Sequence, residues 1–209
     1  MHIDLYSDVA CPWCRIGKQN LARALQLWAE QNDEPVTVTY RAFQLDPELP
    51  EEGRAFDEAM ERKMGGPDSL KRVVDHVTKA GADVGLTFRF ERVSKMPNTR
   101  LAHRFVALLP DEHKEAAVDA LFKAYFEDGA DVTQLDELLA IAERLSLDAA
   151  VIGARLARGE GGDAVDADLK RARQVGVTGV PFFVFNNRYA LSGAYPPEEL
   201  LGLMGGVKA

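Results

Sequence analysis

The chain has only two cysteines among its 209 residues, too few for a disulfide framework or a cysteine-rich zinc cluster. Its histidines, His2, His76, His103 and His113, are scattered, with no pair at i, i+3 or i, i+4 to help complete a four-ligand metal site. No stretch approaches the roughly 20 consecutive apolar residues of a membrane span. A basic excess is missing too. With 33 acidic against 25 basic residues, the net charge is −8 and the pI about 5.1, which argues against nucleic acid or an anionic membrane as partner. The N-terminus lacks a basic n-region, and Asp4 and Asp8 interrupt its apolar residues, so it does not read as a signal peptide. A cytoplasmic location is therefore expected, where a disulfide would be transient rather than structural.

What is present is ordinary for a globular protein, 46% hydrophobic and 28% charged, except for one stretch. Both cysteines fall in Cys11-Pro12-Trp13-Cys14. Residues 2–6 before them read as a short strand. Residues 15–30 after them carry Ile16, Leu21, Ala24, Leu25 and Trp28 at the period of an amphipathic helix. A cysteine at a helix N-terminus meets unpaired backbone N–H groups and the positive end of the macrodipole, both of which favour a thiolate. A second cysteine three positions on lies within reach of a tight disulfide. Between a strand and a helix, this spacing reads as a dithiol–disulfide redox site. Two alternatives stay open at this point: half of a metal site, and two unreactive core cysteines.

The rest of the chain divides by pattern. Residues 36–43 alternate as a strand, so the first segment is strand, helix, strand, with the two strands parallel and the crossover right-handed. From Leu45 an acidic, proline-containing linker opens more than a hundred residues of mostly helical period, interrupted by a brief extended stretch over 86–90. After the breaker at 159–163 come a helix over 164–174 and a β-rich run over 177–185. Asn186-Asn187 reads as a two-residue hairpin turn, because Asn tolerates positive φ; a returning strand over 188–192 and a final helix follow. The expected domains are residues 1–45 and 161–209, together one thioredoxin-like unit, with 46–160 inserted as a helical domain. The expected fold class is α/β: a thioredoxin fold with a large all-helical insertion.

On three blocks the chain resembles the DsbA-like thioredoxin-fold oxidoreductases, in particular their FrnE-like branch. These are Ser7-Asp8-Val9-Ala10-Cys11-Pro12-Trp13-Cys14-Arg15-Ile16-Gly17-Lys18, then Asn98-Thr99 with Ala102-His103-Arg104, and Gly176-Val177-Thr178-Gly179-Val180-Pro181-Phe182-Phe183. The first and last are specific and the middle one is weaker. The resemblance implies a thiol–disulfide oxidoreductase in which Cys11, on an exposed turn, is the nucleophile and Cys14 the resolving cysteine. It implies a cis Val180–Pro181 bond facing the dithiol, with the Val180 backbone holding substrate and Pro181 keeping the loop in place. Pro12 and Trp13 complete the motif, Trp13 shielding the sulfurs. Asn98 lines the cleft from the inserted helices or simply caps one of them, and His103 reads as a satisfied structural histidine. Arg15 and Lys18 add positive charge near the motif, although cations on a helix surface are usually solvated.

No bound cofactor or metal is expected; glutathione or another low-molecular-weight thiol would be the redox partner. The substrate would be a protein, peptide or small-molecule disulfide or dithiol, and no oligomeric state follows. Two other functions are implied less strongly. The kappa-class glutathione transferases and 2-hydroxychromene-2-carboxylate isomerases are related, but they usually carry Ser where this chain has Cys11. Their late Asp-Arg pair also finds no match in Ser192-Gly193-Ala194-Tyr195. The other is a non-enzymatic holdase or metal-binding module that retained the fold.

Overall fold

A computed structural model of the protein describes residues 1–208. Strand β1 (His2–Ser7) leads through the cysteine motif into helix α1 (Pro12–Gln31), and the chain returns as β2 (Thr37–Ala42). The two strands run parallel, His2 opposite Thr37 and Ser7 opposite Ala42, as a helical crossover demands. Near the C-terminus, β5 (Phe182–Phe185) and β6 (Tyr189–Ser192) form a hairpin. Asn186 and Asn187 at its tip have φ of 49° and 55°, the positive values that let the turn follow the twist of the strands. β5 lies antiparallel to β1, giving one four-stranded sheet in the order β2-β1-β5-β6.

The alternation of side chains along β1 gives the sheet two unlike faces. Ile3 and Leu5, with Phe183 and Phe185, pack on Leu21, Ala24 and Trp28 of α1 and on Leu200 and Met204 of the last helix, α9 (Pro197–Lys208). Asp4 and Tyr6 face the other way, toward the helix that precedes β5.

Between β2 and β5 lie α2 (Phe56–Met64), α3 (Pro67–Asp83), α4 (Arg100–Leu108), α5 (Asp111–Lys123), α6 (Leu135–Arg144), α7 (Ala149–Ala157) and α8 (Gly162–Val175). Their amphipathic faces close on one apolar interior, in which Phe105, Leu121, Phe122, Leu138 and Ile141 are fully or almost fully buried. The middle of the chain is helical apart from a minimal ladder, β3 (Arg54–Ala55) against β4 (Lys95–Met96). The extended stretch expected over 86–90 is not paired in a sheet. Phe88 and Phe90 stack on each other and meet Phe126 edge-on, and Arg89 N–H donates to the Phe126 carbonyl; aromatic packing takes the place of a ladder there.

Candidate functional site

The site is built where the C-terminal end of β1 turns into α1. Cys11 is the N-cap residue, with extended backbone (φ −97°, ψ 110°), and Pro12 takes the first helical position. That suits proline, whose missing N–H would be unsatisfied there and whose fixed φ matches a helix. Cys14 N–H donates to the Cys11 carbonyl at 3.0 Å, so the second sulfur sits on the first helical turn. Both cysteines are free thiols.

The Val180–Pro181 bond is cis and faces the motif. The Cys11 thiol donates to the Val180 carbonyl, Sγ to O 3.5 Å. A segment 169 residues away thus completes the site, and Cys11, Cys14, Val180 and the motif residue Trp13 share one packed cluster.

The two sulfurs differ. Cys14 is 0% exposed, and burial pushes its thiol well above the ordinary range; the adjacent Cys11 sulfur adds to the rise, and the Asp8 backbone N–H and Ser7 hydroxyl offset part of it. Burial thus keeps the Cys14 thiol protonated in the resting site.

Cys11 departs from the expected exposed turn, because only 4% of its surface is accessible. Long-range packing covers it. The Val180 loop closes from one side, and the half-buried Trp13 is pinned by the exposed His76 of α3, ring centroids 5.5 Å apart. Sequence spacing could not bring His76 to the motif, since a lone histidine on a helix carries no signal of its neighbour.

Arg15 and Lys18 are also corrected. Neither is solvated: Arg15 is 8% and Lys18 4% exposed. Arg15 donates to the Thr87 carbonyl at 2.7 Å and pairs with Glu127, its guanidinium lying over the Phe88 ring. Lys18 reaches Asp119 at 2.8 Å and Glu115 at 3.3 Å. These two cations clamp the inserted helices onto the start of α1.

Asp8, just before the motif, is 1% exposed. Its carboxylate accepts from Leu45 N–H at 2.7 Å and from Ala10 N–H at 3.4 Å, and stands 3.4 Å from His103 Nε2. His103 Nε2 also donates to the Phe43 carbonyl at 2.9 Å, as a structural histidine would. Together they tie the motif loop to the linker after β2. Asn98 is engaged elsewhere. Its Oδ1 accepts from Gln44 and from Arg100 N–H at the start of α4, both at 3.0 Å, and its Nδ2 donates to the Leu49 carbonyl at 2.7 Å. It caps the helix and straps it to the linker, and no contact joins it to the cysteines. Among the described residues no group of three or more His, Cys, Asp or Glu side chains is placed to hold a metal ion.

Comparisons with known proteins bear on the family and the fold that carry this site. The family model described as DSBA-like thioredoxin domain matches residues 2–205. A probable DsbA oxidoreductase from Streptomyces coelicolor superposes with a TM-score of 0.91 at 30% identity, covering 100% of this chain and 90% of that one. The cytosolic disulfide reductase DsbM from Pseudomonas aeruginosa, with GSH, gives 0.71 at 15% identity, covering 100% of both chains. A 2-hydroxychromene-2-carboxylate isomerase gives 0.70 at 18% identity, covering 100% of this chain and 95% of that one. At such identities the last two speak to the fold alone.

Proposed function

The chain belongs to the DSBA-like thioredoxin domain family, and from that premise we propose that it is a thiol–disulfide oxidoreductase working through Cys11 and Cys14. One observation carries the reading: the Cys11 sulfur lies 3.5 Å from the Val180 carbonyl, beside Pro181, while Cys14 waits behind it as a buried, protonated thiol.

In the reductive direction the Cys11 thiolate attacks one sulfur of a substrate disulfide. A Cys11–substrate bond forms, the substrate S–S bond breaks, and the departing thiolate takes the electron pair and then a proton. Cys11 now carries no charge, so its share in disfavouring a Cys14 thiolate is removed, while that of burial remains. Cys14 loses its proton and attacks Cys11, forming the Cys11–Cys14 disulfide and releasing the second substrate sulfur as a thiolate. The dithiol is oxidised by two electrons and the substrate reduced by two. Glutathione or another low-molecular-weight thiol then regenerates the dithiol. Run backward, the same steps oxidise a substrate dithiol.

Val180 would offer its backbone to an extended substrate segment in the manner of strand addition, displacing the Cys11 thiol from its carbonyl. Since Cys11 is covered, productive binding requires the Val180 carbonyl to release the thiol and the packing around Cys11 to open. The reductive direction and a cytoplasmic setting are the reading preferred here, because a reducing glutathione pool opposes net oxidation. Among the neighbours in fold, DsbM is described as a cytosolic disulfide reductase.

Insulin reduction by wild type, Cys11→Ser and Cys14→Ser tests the proposal. Both variants should fall to background. Cys14→Ser should accumulate a mixed disulfide with substrate, visible as added mass that dithiothreitol removes. Retained turnover in Cys11→Ser would sink the assignment of the nucleophile. A wild type inert toward disulfides but active on an aromatic glutathione substrate would move the protein to the isomerase reading.

A further inference from the structure

Helix α1 carries the dithiol, and it also supports the loop opposite. Gly17, one turn beyond Cys14 on the same helix, has the Pro181 ring resting on its Cα. A methyl group at position 17 would come within 2.7 Å of Pro181 Cγ, 3.2 Å of Pro181 Cβ and 3.4 Å of Phe183 Cζ. Carbon–carbon contacts are most favourable at about 3.5–4.0 Å, so any side chain here must drive the loop back by roughly an ångström. The proline ring is rigid and cannot swing aside as the end of a long side chain could.

The loop is fixed at its other points as well. Gly193 N–H donates to the Pro181 carbonyl at 2.9 Å. Asn20, one further turn along α1 and buried, donates to the Tyr195 carbonyl at 2.9 Å. The contacts close a ring: α1 at Gly17, Pro181, Gly193, the 193–195 turn, and α1 again at Asn20. Within that ring the distance from helix to loop is set by the absence of a side chain at residue 17. The same distance decides where the Val180 carbonyl stands relative to Cys11 Sγ.

We propose that Gly17 is a positioning residue for thiol–disulfide exchange, acting as the seat that holds Pro181 and Val180 at working distance from Cys11. The role in turnover rests on the oxidoreductase reading above; the seat itself does not. A displacement of about an ångström between reacting groups can cost on the order of a hundredfold in rate. Gly17→Ala should therefore lower kcat/KM for insulin by about tenfold to a hundredfold, although Ala is the better helix former.

The test is a double-mutant cycle of Gly17→Ala with Pro181→Ala, read by melting temperature and by kcat/KM. Gly153→Ala serves as the control: a methyl there would come within 3.3 Å of Leu139, at the contact of α6 with α7. Gly17→Ala should depress both readouts in the wild-type background and each by clearly less once Pro181 is Ala, which removes the 2.7 Å contact and leaves only the Cβ. Gly153→Ala should leave kcat/KM unchanged, whatever its effect on the melting temperature. Should Gly17→Ala fail to fold, restored folding in the double variant supports the seat and its absence overturns it. Unchanged kcat/KM in Gly17→Ala, or losses that simply add in the double variant, overturns the proposal. If the wild type does not reduce insulin, the oxidoreductase reading fails with Gly17's part in it, while the coupling of melting temperatures still judges the seat.

Discussion

The two faces of the sheet are packed by different chemistry. Toward α1 and α9 the interior is hydrocarbon: Ile3, Leu5, Phe183 and Phe185 meet Leu21, Ala24, Trp28, Leu200 and Met204. Toward α8 a buried carboxylate takes the middle of β1. Asp4 binds Arg41 of β2 at 2.8 Å and Arg171 of α8 at 3.3 Å, with His2 at 3.3 Å. Arg41 then reaches Asp168 of α8 at 3.1 Å, and Asp168 accepts from Ala42 N–H at 3.0 Å on the outer edge of the sheet. Apolar contact is strong but tolerant of sliding, whereas charge-assisted hydrogen bonds have fixed partners and directions. The difference suits what each helix does. α1 needs a firm bed under the cysteines, and α8 feeds the chain through Gly176 and Val177 into the Val180 loop, so its register matters.

The largest expected effect that would break this comparison is on the hydrocarbon side. Leu21 is 1% exposed, and Leu21→Ala should cost about 2–5 kcal/mol of unfolding free energy, measured by urea titration. The loss should be independent of pH, and turnover per folded molecule should be kept, because the cavity opens two turns below the cysteines. A loss under about 1 kcal/mol would mean that this face is not tightly packed.

The contrast also explains what could be read in advance. The period of Leu21, Ala24 and Trp28 gives away the buried face of α1, and the β-rich run over 177–185 followed by the turn residues Asn186-Asn187 gives away the hairpin. Both are local signals: solvent imposes the period of the helix, and asparagine's tolerance of positive φ marks the turn. Arg15 and Lys18 were misjudged for the opposite reason. Whether a cation is buried depends on a carboxylate of another helix, Glu127 or Asp119 here, about a hundred residues away, and no spacing rule reports that. The burial of Cys11 escapes a local pattern on the same ground, since Val180 lies 169 residues away. Gly17 escaped because a glycine inside a helix registers only as a weakened propensity; its meaning lies in Pro181, which no helical pattern contains. Asn98, expected either to line the cleft or to cap a helix, hydrogen-bonds Gln44, Leu49 and the first N–H of α4, and a family motif fixes a residue's position in the fold, not what its side chain touches.

A smaller effect is expected on the charged face. Asp4→Asn keeps the shape and removes the charge. It should cost about 1–3 kcal/mol at neutral pH, because Arg41 loses its buried partner yet keeps Asp168. The variant should also loosen α8, seen as faster amide hydrogen exchange over residues 162–175 than in Leu21→Ala at equal global stability. Equal exchange in the two variants would erase the distinction between the faces.

The smallest effect, and the sharpest, is in its dependence on acid. Burial alone would raise the Asp4 carboxyl, but the hydrogen bond and charge of Arg41, with His2, more than reverse this and hold it below its ordinary value of 3.8. A group whose folded pKa lies below its unfolded one stabilises the fold fully above the unfolded value, and that contribution disappears as pH falls through the folded value. The wild type should therefore lose stability on acidification below about pH 4 partly through Asp4, which Asp4→Asn cannot do. In urea titrations at pH 7, 5, 4 and 3, the gap between wild type and Asp4→Asn should hold steady down to about pH 4 and then close. The gap between wild type and Leu21→Ala should stay constant throughout, since nothing ionisable is removed with that side chain. If the Asp4 gap also stayed constant to pH 3, the carboxylate would be acting through shape and hydrogen bonding rather than charge. The two faces would then differ only in polarity, and the register of α8 would need another source.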